Sequence, residues 1–171
     1  YSGRDPRLGY TILTNNTQFK GRAVECWTGG RDGKGVMHAT RTGYYLKKYI
    51  DPDVDLLLNQ SSVHSWILIR LSEIYLNYAE AMNEAYGPDD PHGYGMTARE
   101  ALNAVRTRTA VGMPAIMDGG QAELRERIRH ERRIELAFED HRFWDVRRWM
   151  IAPETLGKPL KGVEITRAGS S

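Results

Sequence analysis

The stretch Leu124–Trp149, LRERIRHERRIELAFEDHRFWDVRRW, decides the fold because it is helix-forming throughout and half charged. A helical wheel at about 100° per residue places four apolar residues on one stripe: Leu124, Ile128, Ile134 and Phe138. Glu131 and Glu135 fall on the same stripe. A carboxylate inside an apolar stripe is costly unless it is paired and hydrogen-bonded. The two glutamates therefore predict arginine partners inside a larger packed body.

The expected partners are arginines on the same stretch and on a helix upstream. Arg142 lies beside the two glutamates on the helical wheel, and Arg106 and Arg108 lie on an edge that can face another helix. Guanidinium groups bind carboxylates through strong, charge-assisted hydrogen bonds. We therefore predict a structural ion-pair network of Glu131, Glu135, Arg142, Arg106 and Arg108.

A catalytic role is the alternative interpretation of the same two glutamates. A glycosidase needs two carboxyl groups that face one cleft, and Glu131 and Glu135 lie one helical turn apart. Neighbouring arginines, however, lower a carboxyl pKa, whereas a general acid needs a raised one. A zinc-binding helix is disfavoured because Ile134 stands where the second histidine after His130 is required. The structural interpretation is favoured, and no catalytic residue is predicted.

Two helices are predicted upstream of this stretch. Trp66–Tyr86 carries apolar residues on most of its faces, and Ser61–Ser65 offers a start signal before it. Gly87 and Pro88 begin a run of helix breakers, and Thr97 to Glu100 reads as a capping box that opens a second helix through Ala110. The pair predicts a helical hairpin.

The first fifty residues predict loops with at most brief strands, because they are rich in Gly, Thr, Asn and Arg. Trp27 lies in a glycine-rich polar loop, and Tyr44 and Tyr45 follow Gly43. Sugar rings stack their C–H faces on aromatic rings, so these three residues are the candidate ligand-binding residues. The alternative is that the aromatic rings only anchor their loops. The aromatic residues of the helical segments are predicted to pack in the core instead: Trp66, Phe138, Phe143, Trp144 and Trp149.

Composition excludes several classes of function. Lys+Arg number 24 and Asp+Glu 22, so the net charge of +2 creates no field that would recruit nucleic acid or an anionic membrane. Cys26 is the single cysteine, and no apolar run reaches the roughly 18 residues of a membrane span. Residues 27–35 lack the ending of a phosphate-binding loop, and residues 51–62 lack the glycine and glutamate of a calcium loop. No cofactor and no metal are expected.

Three motifs resemble the C-terminal half of SusD/RagB-family proteins. They are, in chain order, RLSEIYLNYAEAMNEA (70–85), ALNAVRTRT (101–109) and HERRIELAFEDHRFWDVRRW (130–149). The family reads roughly RxAEIYLxYAEA, LNxVRxRA and ERRxELAFEGxRxxDLxRW at these places. Asp140 stands where the family usually has glycine, and a left-handed conformation there is tolerated by aspartate less freely than by glycine.

The resemblance implies a mainly α fold of tetratricopeptide-like hairpins in a SusD-like α-α superhelix. It divides the chain into a loop-rich segment 1–60 with candidate ligand-facing loops, a helical core 61–150 and a loop-rich segment 151–171. The chain looks incomplete for this family, whose members are considerably longer.

The resemblance also implies a function, which is non-catalytic capture of glycans or related nutrients for a SusC-type TonB-dependent porin. The protein would sit on the outer-membrane surface through a lipid anchor that lies outside this chain. Two alternatives remain: a helical scaffold that only binds a partner protein, and a glycoside hydrolase that uses the central glutamates.

Overall fold

The computed structural model describes residues 1–167, which form two compact units. One unit comprises Tyr1–Arg7 and Trp66–Ile151, and the other comprises Leu8–Ser65 and the chain from Ala152. In chain order the elements are α1 (Arg7–Thr11), β1 (Ile12–Leu13), β2 (Gln18–Phe19), β3 (Arg22–Ala23), β4 (Tyr45–Leu46), a 3-10 turn (Leu56–Leu58), α2 (Leu71–Tyr86), α3 (Ala98–Arg106), α4 (Gln121–Glu135), α5 (His141–Arg148) and α6 (Ala152–Leu156). The mainly α fold class is confirmed.

The core of the first unit lies between α2, α3 and α4. Its fully buried members come from all three helices: Leu76, Ala79, Ala98, Ala101, Leu102 and Leu124. The alanines on α2 and α3 let the two helices of the hairpin approach closely, because the separation of packed helices is set by the side chains at their contact. None of the described helices is long and apolar enough to cross a lipid bilayer.

The predicted capping box at the start of α3 is confirmed. The Thr97 hydroxyl accepts from the Glu100 backbone N–H at 3.1 Å, and the Glu100 carboxylate accepts from the Thr97 backbone N–H at 2.8 Å. The end of α3 falls at Arg106, before the predicted Ala110. The Thr107 hydroxyl donates to the Asn103 carbonyl at 2.9 Å, a local bond that competes with continuation of the helix.

Helix α2 begins at Leu71, five residues after the predicted start at Trp66. Arg70, the residue before the helix, has an extended backbone at φ −138° and ψ 159°. Its guanidinium group binds Glu135 and Glu139, and these ion pairs hold it outside the helix.

The central stretch divides into α4 and α5 instead of forming one helix. Phe138 and Asp140 take left-handed φ values of 63° and 62°, which turns the chain before α5 begins. The left-handed conformation expected at Asp140 is thus observed. Beyond Glu135 the helical wheel no longer applies, and Phe138 points to solvent.

The prediction that the helical-segment aromatics pack in the core is wrong for all but one of them. Trp149 is buried, whereas four are more than half exposed: Trp66, Phe138, Phe143 and Trp144. Trp66 and Phe138 lie outside the helices, and Phe143 and Trp144 lie on the solvent face of α5.

The second unit is built from loops and two short antiparallel strand pairs, β1 with β4 and β2 with β3. Leu13, Val24 and Cys26 form its buried cluster, with Tyr45 and Ile165 packed against it. The Thr28 N–H donates to the Ile165 carbonyl at 2.8 Å. The segment after α6 is therefore part of the same unit as the N-terminal loops.

Candidate functional site

Glu131 is fully buried in α4 and binds two arginines. The Arg7 guanidinium donates to its Oε1 at 2.5 Å, and the Arg106 guanidinium donates to its Oε2 at 2.6 Å. Arg7 also binds Asp5 at 2.6 Å. Burial alone would lower the pKa of Arg7, but the hydrogen bonds to Asp5, Glu131 and Glu135 raise it, so Arg7 stays charged.

Glu135, one turn further along α4, binds three arginines. Its carboxylate lies 2.5 Å from Arg70, 2.7 Å from Arg108 and 2.8 Å from Arg7. Burial would raise the pKa of Glu135, but the hydrogen bonds from Arg70, Arg7 and Arg108 outweigh it and lower the pKa to about 2. Glu135 is therefore a carboxylate held in its charged form.

The ion-pair network differs from the predicted one in its arginines. Arg106 and Arg108 reach the glutamates, and Arg7 and Arg70, which were not predicted, join them. The prediction for Arg142 is wrong, because within residues 1–167 no ion pair joins its guanidinium group to Glu131 or Glu135. The chain turns between α4 and α5, so the wheel position of Arg142 does not correspond to its place in space.

The geometry of the network opposes a catalytic role for the two glutamates. Each of the four carboxylate oxygens of Glu131 and Glu135 already accepts from a guanidinium group. A general acid in a glycosidase needs a raised pKa and access to the substrate. The pKa of Glu135 is lowered, and both side chains are buried.

We expect acid to destabilise the protein through Glu135. Its pKa is about 2 in the folded chain against an ordinary value of 4.5, so the unfolded chain takes up the proton first. The stabilisation that the charged Glu135 carboxylate provides is complete above about pH 5. It is lost as the pH falls through about 2, and the total loss is about 3 kcal/mol. Urea denaturation at several pH values measures this loss. Glu135→Gln should unfold with a flatter acid limb, and parallel limbs for the two proteins would contradict the assignment.

A second buried ion pair connects α4 with α5. Arg132 donates to Asp145 at 2.7 Å, and both side chains are buried. The same guanidinium group donates to Asn77 of α2 at 2.6 Å and contacts the His141 ring at 3.2 Å. One arginine therefore holds three helices together.

The candidate ligand-binding loop around Trp27 is tightly folded. A Cβ atom on Gly30 would lie 2.9 Å from the indole ring, and one on Gly33 would lie 2.1 Å from the Trp27 carbonyl, so only glycine fits at these two places. The Trp27 ring is half-buried, with the Arg167 guanidinium 5.5 Å from its centre. The indole thus keeps some exposed surface in a rigid setting.

The two tyrosines of the prediction differ in their surroundings. Tyr44 is half-buried. Tyr45 lies in β4, where its hydroxyl donates to the Asp32 carbonyl at 2.9 Å and accepts from the Thr40 N–H at 3.2 Å. Its ring packs against the buried cluster of the second unit. Both the ring and the hydroxyl of Tyr45 thus serve the fold, which disfavours a role in ligand binding.

Residues 1–167 contain no group of three or more His, Cys, Asp or Glu side chains placed to hold a metal ion. Cys26 is buried, and burial raises the pKa of its thiol, which disfavours the reactive thiolate.

These features define a helical-hairpin protein that is held by a buried arginine–glutamate network and carries a loop-rich second unit. The sequence profile of the SusD family matches residues 1–170. The chain belongs to the SusD family.

Similar proteins agree with this assignment. A SusD-like protein from Bacteroides fragilis of known crystal structure is 38% identical, with a TM-score of 0.80, over 98% of this chain and 32% of its own. A second crystal structure from that organism, described as a SusD-like carbohydrate-binding protein, is 32% identical with a TM-score of 0.68, over 90% of this chain and 30% of its own. The SusD-like protein P25 of Formosa agariphila is 36% identical over 63% of this chain and 19% of its own length. The chain thus spans a third or less of these relatives.

Proposed function

We propose that this chain is part of a non-catalytic protein that captures glycans or related nutrients at the outer-membrane surface. The protein would pass them to a SusC-type TonB-dependent porin and would be held by a lipid anchor outside this chain. The observation that carries the proposal is the similarity to a solved SusD-like carbohydrate-binding protein, at 32% identity over 90% of the chain.

The loop around Trp27 is the proposed place of contact within the second unit. Its glycines hold the indole in a fixed position, and a flat apolar ring with a polar rim suits a half-wet sugar. Tyr44 is the second candidate. Loops positioned by a rigid scaffold commonly carry binding residues, and hydrogen bonds such as Gly30 N–H to the Trp27 carbonyl at 2.8 Å supply that rigidity here.

Capture without turnover is supported by the state of the central glutamates. Glu131 and Glu135 are saturated by arginines, and the lowered pKa of Glu135 is the reverse of what proton donation to a glycosidic oxygen requires.

A scaffold that only binds a partner protein is the second candidate function. Helix α5 presents Phe143 and Trp144, both more than half exposed, in edge-to-face contact with ring centres 5.0 Å apart. Clustered apolar side chains at a surface are typical of contacts with another protein. Binding of the porin in the absence of any glycan binding would favour this function.

We expect Trp27→Ala to weaken glycan binding by about 1–3 kcal/mol, as for loss of an aromatic anchor. A glycan array on the intact protein identifies the ligand, and calorimetry measures the affinity. Trp27→Phe keeps a flat apolar ring and should retain most of the affinity. Trp144→Ala is the control for removal of an exposed indole and should bind like the parent.

Three results of these measurements would change the proposal. Unchanged affinity of Trp27→Ala with a lower melting temperature would make Trp27 a packing residue and place the glycan contacts elsewhere. Release of reducing ends from the bound polysaccharide, abolished by Glu131→Gln, would support the hydrolase. Absence of binding to every glycan would remove the capture function.

A further inference from the structure

The last residue of α2 and the loop between α2 and α3 carry an exposed aromatic cluster, which shares no residue with the ion-pair network or the Trp27 loop. Tyr86 and His92 stack with ring centres 3.9 Å apart and planes inclined by 15°. Tyr94 lies 6.2 Å from each of these rings. All three side chains are exposed, so packing in the core does not account for two rings in this short loop beside the ring at the end of α2.

The loop is held in one conformation from both ends. Arg99 of α3 binds Asp89 at 2.6 Å, and the Tyr78 hydroxyl of α2 donates to the Met96 carbonyl at 2.7 Å. Within the loop, the Tyr94 N–H donates to the Pro91 carbonyl at 2.8 Å. The three rings are therefore presented by a fixed backbone.

His92 occupies a backbone conformation that favours glycine. Its φ is 44°, and the glycine at position 93 next to it has φ 82°. A histidine in this region is uncommon and persists where the surroundings hold it. Here the Asp90 carboxylate accepts from the His92 N–H at 2.8 Å, and the imidazole lies against the Tyr86 ring. The loop therefore carries an imidazole ring at its tip, at a position where glycine would be the usual residue.

Polar groups surround the apolar ring faces. The pKa of the Tyr86 hydroxyl is raised, chiefly by its interaction with Tyr94, and the nearby Asp90 charge adds to the effect. The Asp90 carboxylate, which accepts from the His92 N–H, lies beside the stacked rings of Tyr86 and His92. The cluster combines flat apolar faces with donors and acceptors at their edge, which is the chemistry that recognises a pyranose ring.

The size of the cluster favours a small ligand over a protein. Each side of a stable protein interface contributes about 20–30 residues, far more than three rings and their rim. We propose that Tyr86, His92 and Tyr94 form a further carbohydrate-stacking site, which takes one or two pyranose units of an oligosaccharide. The inference rests on the proposed function of glycan capture, but it uses none of the residues of the Trp27 loop.

The test is calorimetry on the intact protein with maltohexaose, cellohexaose, laminarihexaose, xylohexaose and mannohexaose. Tyr94→Ala should bind the preferred oligosaccharide about tenfold more weakly, as for an aromatic hot spot. Tyr94→Phe keeps the ring, so its loss of binding free energy should be less than half of the loss caused by Tyr94→Ala. Tyr10→Ala is the matched control, because Tyr10 is 64% exposed and Tyr94 is 63% exposed.

The outcomes separate this inference from the proposed function. If the parent binds an oligosaccharide and Tyr94→Ala binds it equally well, the loop is not a sugar site, although glycan capture stands. If the parent binds none of the five and nothing on a glycan array, both fail together. Melting temperatures of the variants should match that of the parent, because an exposed side chain is removed; a fall with unchanged affinity would assign the cluster a structural role.

Discussion

Replacing Glu135 by alanine is expected to lower the free energy of unfolding by about 3–5 kcal/mol, the usual loss when one partner of a buried ion pair is removed. Arg7 is buried, and both Arg7 and Arg70 direct a guanidinium nitrogen at the Glu135 carboxylate within 2.8 Å. Without that carboxylate, the four arginines that bind the two glutamates would face three carboxylates, those of Glu131, Asp5 and Glu139. Urea denaturation of the variant and the parent measures the difference.

Glu126→Ala provides the matched control on the same helix. The Glu126 side chain is 70% exposed and pairs with Arg129 at 3.2 Å, one turn along α4. Exposed pairs of this kind contribute about 0.3–0.5 kcal/mol. If Glu135→Ala and Glu126→Ala shift the unfolding midpoint equally, Glu135 does not form a buried ion pair.

Much of the helical unit could be predicted because its signals are local. The capping box at Thr97 and Glu100 satisfies backbone donors that lie within one turn, so three residues of spacing identify it. The burial of Glu131 and Glu135 followed from their position among apolar residues along a single helix. Both arguments hold as long as the helix continues.

The helical wheel failed where the helix ended. Arg142 and Phe138 were assigned from a single helix through the central stretch, but left-handed residues turn the chain between α4 and α5. The resemblance to the family indicated a break at Asp140, yet a wheel drawn on one axis cannot show the new direction of the chain.

The partners of the glutamates depend on contacts that the sequence does not encode locally. Arg7 reaches Glu131 across 124 positions, and nothing in the first residues marks it as a network member. Arg70 carried a weak signal, since it opens the motif that resembles the family. Tyr45 is a candidate ligand-binding residue in the sequence because it belongs to no helical core stripe. Its strand partner β1 is more than thirty positions away and places the ring against a buried cluster.

The ion pair of Arg132 with Asp145 supplies the second large effect. Arg132→Ala is expected to lower the free energy of unfolding by about 3–5 kcal/mol, since a buried carboxylate loses its partner. Within residues 1–167, the Asp145 carboxylate would retain only the bond from Arg148 at 3.1 Å, and Asn77 of α2 would lose its bond from the guanidinium group. Arg132→Lys should recover little, because an ammonium group cannot donate in the three directions that the planar fork serves. Denaturant unfolding of these variants measures both effects.

A double-mutant cycle separates the ion pair from the packing of the arginine stem. The double variant Arg132→Met, Asp145→Leu should lose less free energy of unfolding than the sum of the two single variants, by about 0.5–3 kcal/mol. Each single variant leaves one buried charge unpaired, whereas the double variant leaves none. Arg127→Ala is the control, since Arg127 is half exposed and pairs with the exposed Glu123 at 2.6 Å. Strict additivity in the cycle would mean that Arg132 stabilises the junction of α4 and α5 through its aliphatic stem and its contacts with Asn77 and His141. A coupling within the expected range would establish the buried charge pair as the contact that fixes α5 against α4.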